Sequence, residues 1–127
     1  MNNSSEEKDL LYLQVFGSIV FIITIIISII LTINNIERIN KKKPFFSQKQ
    51  ENNISLTNRL IITTIAIIFT YISYKFYEIN KVNNDEISKK EFTASIFALI
   101  SSLILLKTTI ENIQRKSGDN DISIPII

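Results

Sequence analysis

Residues 18–33 read SIVFIITIIISIILTI, and the reading of this stretch decides the fold. A helix at the surface of a soluble protein carries its apolar residues as one stripe and keeps a polar face opposite. Here the only polar groups are Ser18, Thr24, Ser28 and Thr32, and none is charged. A helix apolar almost all round belongs in hydrocarbon. No charged residue occurs over the 24 positions from Leu10 to Ile33. Crossing a hydrocarbon core of about 30 Å takes about 20 helical residues, so this run suffices with some tilt.

Two further uncharged runs follow, Leu60–Tyr74 and Phe92–Leu106, each of 15 residues. Fifteen helical residues cover only about 22 Å. Lys75 and Lys107 lengthen them, because a lysine at a span end lifts its ammonium to the headgroups while its stem stays in the apolar layer. The expectation is an all-α, integral membrane three-helix bundle. Its spans fall at about 10–33, 58–77 and 92–110, with a basic loop over 34–57, a polar loop over 78–91 and a C-terminal tail over 111–127. The alternative is a single anchor followed by a soluble helical hairpin.

Sequence signals place the helix ends. Ser4 with Glu7 and Ser88 with Glu91 match the S-x-x-E capping box and predict the starts of helices one and three. Pro44 is expected to stop helix one after the lysines, Phe45–Asn53 to form a polar loop, and Gly118 to end helix three. The opening MNNSSEEKDL is acidic where a signal peptide needs a basic flank, so the first span is expected to be retained.

Charge then orients the chain. Arg38, Lys41, Lys42, Lys43, Lys49, Arg59, Lys107, Arg115 and Lys116 fall on one side of the predicted membrane, nine against five for Lys8, Lys75, Lys81, Lys89 and Lys90. Short loops rich in Lys and Arg stay in the cytoplasm, which predicts an outside N-terminus and an inside C-terminus. Most span aromatics, among them Tyr12, Tyr71, Tyr74 and Tyr77, fall in the outer halves, as an interfacial belt would. Arg38, Lys41, Lys42 and Lys43 are therefore read as a topology anchor that also meets lipid headgroups, each cation near an anionic leaflet adding about 1 kcal/mol.

The composition removes several chemistries. With no cysteine and no histidine there is no disulfide, thiolate nucleophile or imidazole base, and catalysis would fall to carboxylates, lysines and hydroxyls. No H-E-x-x-H, Gly-rich phosphate loop or D-x-D pair occurs. A net charge of +2 gives no case for nucleic acid. No Asp, Glu, Lys or Arg sits in mid-span, where the relay groups of pumps and ion-coupled transporters would be. The chain is read as non-catalytic, with no cofactor and no metal. The abundance of Ile, Asn and Lys points to an AT-rich genome, and the expected setting is a bacterial plasma membrane.

What the spans contain is small and hydroxyl residues at helical spacing. Gly17, Thr24 and Ser28 share a face of helix one, Ala66 and Thr70 a face of helix two, and Ala94, Ala98 and Ser102 recur every four residues on helix three. Small residues let helix backbones approach and hydroxyls bond across the contact. The expected role is that of an accessory, regulatory or structural component acting through helix packing, with membrane lipids and either a second copy or another membrane protein as partners. Two rivals stand beside it. Three spans with these termini resemble the layout of three-span phage holins, which implies a membrane-permeabilising oligomer. An immunity protein against a peptide toxin fits the same size.

Overall fold

The computed structural model describes residues 3–81 and 86–116, and these form three helices: α1, Asn3–Ile39, α2, Gln48–Asn80, and α3, Glu86–Lys116. The three uncharged runs lie inside them, one to each helix. All three are long and apolar enough to cross a membrane. The most apolar stretch of α3 contains no residue buried within the protein, which a core helix of a water-soluble domain would not tolerate. Isoleucines of α1 outside its contact with α2, including Ile22, Ile23, Ile26 and Ile29, are exposed.

α2 is the central element. It packs against both α1 and α3, whereas no Cα of α1 comes within 8 Å of a Cα of α3 among the described residues. The seam between α1 and α2 has a seven-residue repeat. Leu10, Gly17 and Thr24 are buried on α1, and Glu51, Asn58, Ile65 and Ile72 are buried on α2. A repeat of seven keeps one stripe of each helix against its neighbour over several turns. The cross-helix pairs Thr24 with Asn58 and Asn34 with Glu51 make the two helices antiparallel. α3 runs back along α2, tied by Thr70 to Ser95 and by Asn80 to Ser88.

Four boundaries depart from the sequence expectation. α1 ends at Ile39, ahead of the lysines and of Pro44. Its last carbonyls are closed by Lys41 N–H to Arg38 O at 3.1 Å and Lys42 N–H to Glu37 O at 2.8 Å, with Lys41 in the left-handed region at φ 61°. This is the paired-bond ending that usually places glycine where Lys41 stands. The polar loop expected over Phe45–Asn53 stops at Ser47, because Ser47 caps α2: its hydroxyl accepts from Gln50 N–H at 3.2 Å, and Gln50 Oε1 accepts from Ser47 N–H at 3.0 Å. Ser4 and Ser88 are not caps, since helix is already formed at Asn3 and at Glu86. Ser88 is instead buried against α2, its hydroxyl accepting from Asn80 Nδ2 at 3.0 Å. Helix therefore occupies much of the stretches assigned to loops at 34–57 and 78–91, and residues 111–116 of the assigned tail. Gly118 and the rest of the tail lie outside the described residues.

Candidate functional site

The polar groups of the chain are gathered at the helix contacts in successive layers. At the basic end, Asn34 is fully buried. Its side-chain oxygen accepts from Phe46 N–H at 2.9 Å, and its amide nitrogen donates to Phe46 O at 3.2 Å and to Glu51 Oε2 at 3.1 Å. Arg38 Nη1 donates to Glu51 Oε1 at 2.8 Å. Gln48 reaches both Glu51 and Asn52, at 3.4 and 2.9 Å. One asparagine thus holds the backbone of the loop, while one glutamate ties α2 to α1. A buried carboxylate needs such a set of donors to offset its lost hydration. Arg38 Nη2 is buried without a hydrogen-bond partner. Beside this cluster a cavity of about 220 Å³ is lined by Asn35, Glu51, Asn52, Ser55, Thr109 and Asn112.

One layer further in, Asn58 Nδ2 donates to Thr24 O and to Ser28 Oγ, each at 3.1 Å. Thr24 is buried and its hydroxyl donates to Phe21 O at 2.6 Å. Gly17 is buried under the Phe69 ring, and a Cβ added there would lie 2.8 Å from Phe69 Cε1. Between α2 and α3, the Thr70 hydroxyl lies 2.8 Å from Ala66 O and 3.2 Å from Ser95 O, and the Ser73 and Ser95 hydroxyls are 2.7 Å apart. At the opposite end Phe92 meets Tyr74 and Tyr77, with ring centroids 5.6 and 6.0 Å away, and Lys75 pairs with Glu6 at 3.4 Å.

The residues singled out from the sequence are distributed unevenly over this arrangement. Gly17, Thr24 and Ser28 lie on the α1–α2 contact, and Thr70 on the α2–α3 contact. Ala66, Ala94, Ala98 and Ser102 line an open cleft between α1 and α3, and Ala94 and Ala98 are exposed on its wall. Arg38 is engaged with Glu51, whereas Lys41, Lys42 and Lys43 are exposed on the turn after α1. Asn34, Glu51 and Asn58 carry polar contacts that join α2 and its leading loop to α1, and no motif announces them. Their signal is positional: Glu51 and Asn58 continue, seven residues apart, the stripe that Ile65 and Ile72 begin.

Several hydroxyls that do not bridge helices are closed locally. Thr32, Thr63, Thr64 and Thr93 each donate to the carbonyl four residues earlier, at 2.9–3.0 Å. This bonding lets a hydroxyl face hydrocarbon without an unsatisfied donor. Among the described residues no group of three or more acidic side chains comes together to hold a metal ion. No family model matches the chain, and neither a curated protein nor a solved structure matches it.

Proposed function

We propose that the chain is a non-catalytic integral membrane protein of a bacterial plasma membrane, crossing it three times with the N-terminus outside, and that it acts as an accessory, regulatory or structural component through helix packing. The observation that supports this reading is where the hydroxyls and amides go. Thr24, Ser28, Thr70, Ser73, Ser95 and the amide nitrogen of Asn58 are spent on contacts between helices or on their own backbones. A conducting lumen needs polar groups free to replace water around a passing solute. The outer surface, by contrast, is apolar over most of its middle length. That is a surface suited to lipid and to the flank of another membrane protein.

The test is leakage. Cells expressing the unmodified chain are expected to keep their membrane potential and to retain dye, and cells expressing Ser28→Ala are expected to do the same. Loss of one bridging hydroxyl then registers only as a stability decrease of about 0.6 kcal/mol, typical of a hydrogen bond between helices in a membrane. Expression-dependent collapse of the potential by the unmodified chain would overturn the packing role and make the holin-like layout the leading description.

A further inference from the structure

The cleft between α1 and α3 has a shape and a charge that the packing role leaves unused. It has a volume of about 630 Å³ and is walled by Phe21 and Ile25 of α1, Phe69 of α2, and Ala94, Ala98 and Leu105 of α3. Ala94 to Leu105 spans 11 positions, about 17 Å of helix. One leaflet contributes about 15 Å of hydrocarbon, half of a core of about 30 Å. The small side chains of α3 keep the cleft open along this length.

Arg59 lines the same cleft, immediately before the uncharged run of α2. Among the described residues no carboxylate pairs with it, and the acid of the neighbouring turns, Glu51, is taken by Arg38. A guanidinium at the margin of hydrocarbon calls for an anion, and its planar fork matches phosphate oxygens. Another protein helix would have to supply a carboxylate at this depth. A second copy of the chain has none to give at this depth, since the neighbouring Asn58 sets Arg59 level with Thr24 and Ser28, inside the acid-free run Leu10–Ile33, and Phe92–Leu106 is free of acids as well. A phospholipid supplies the anion and the chain together.

We infer that this cleft holds an anionic phospholipid of the leaflet that Arg59 faces, one acyl chain lying along Ala94–Leu105 and the phosphate on the Arg59 guanidinium. The inference rests on the membrane reading above. Basic pockets between membrane helices are established headgroup sites in general, and the apolar channel continuing from this one selects a lipid over free phosphate.

The experiment starts with alkaline carbonate extraction of membranes that contain the unmodified chain, which is expected to stay in the pellet. The protein is then purified in detergent, stripped of lipid, and titrated with phosphatidylglycerol or phosphatidylcholine of identical chains, with bound lipid counted by native mass spectrometry. The unmodified chain is expected to prefer phosphatidylglycerol by about fivefold. Arg59→Gln should bring the two lipids level. Ala98→Leu should weaken both, with helical circular dichroism unchanged. Replacing Lys41, Lys42 and Lys43 together by Gln should leave the preference intact. A preference that survives Arg59→Gln, or one lost with the three lysines, would overturn the inference, as would a lipid-independent dimer broken by Ala98→Leu. Release by carbonate would overturn the membrane reading as well, whereas retention without any lipid preference would overturn this inference alone.

Discussion

Asn34 shows how much one side chain can hold when it is fully buried. Both hydrogen-bonding groups of the Phe46 backbone close on it, and its amide still reaches Glu51. Asn34→Ala strands the Phe46 groups and removes a donor from a buried carboxylate, so a loss of about 2–3 kcal/mol is expected in detergent unfolding curves. A loss below about 0.5 kcal/mol would mean that water replaces the amide freely. Lys41 is the opposite case, a residue with the wrong backbone preference. Its φ of 61° costs about 1 kcal/mol in a side chain with a Cβ, and Lys41→Gly is expected to raise stability by about that amount, whereas Lys41→Ile should lower it. Neither feature was legible in advance. An asparagine following an apolar run reads as loop, and the three lysines and Pro44 looked like a stop signal stronger than the backbone turn that closes the helix before them. Ser47 with Gln50 was legible, as an S-x-x-Q box, but the apparent polar loop around it obscured the signal.

The apolar runs located all three helices, because lack of charge over 15 or more residues leaves few alternatives. Helix lengths were harder to read. α1 has 37 residues, about 55 Å, so it overreaches a hydrocarbon core of about 30 Å, as the end signals at Ser4 and Pro44 imply, whereas the extension of α2 back to Gln48 is hidden by the polar composition of residues 48–57. The contacts between helices offer direct tests, helped by a chain with no cysteine of its own. Ser73 and Ser95 hydroxyl oxygens are 2.7 Å apart, so a Ser73→Cys, Ser95→Cys variant should form a disulfide nearly quantitatively under mild oxidation, seen as a mobility shift reversed by reductant. Failure to cross-link would place α3 in another register on α2. Gly17→Leu should force Phe69 off α1 and destabilise the α1–α2 contact by about 1–3 kcal/mol, while the Ser73–Ser95 cross-link persists.

At the scale of the whole molecule the small-residue stripes divide between two environments. Those of α1 and α2 include close contacts at Gly17, Thr24 and Thr70, while Ala94 and Ala98 of α3 face the open cleft. Spacing alone could not separate these outcomes, because a stripe identifies a face and does not say what meets it. α2 is the helix that touches both neighbours, and its polar residues Glu51 and Asn58 fix α1 from the basic end inward. That basic end, with Arg38, the three exposed lysines, Lys49 and Arg59, is the side that the charge rule assigns to the cytoplasm. Neutralising Lys41, Lys42 and Lys43 should produce a mixed orientation, and placing three lysines instead at the exposed positions Asn40, Phe45 and Asn53 should restore it, since the rule counts charge near a span end. The account turns most of all on three crossings with this orientation, and a reporter active only in the cytoplasm tests it directly. Fused after Lys49 and after Ile127 it should give signal in both cases, and fused after Asn84 it should give none. Signal after Asn84 would contradict the three crossings and leave a single anchor with a soluble helical hairpin.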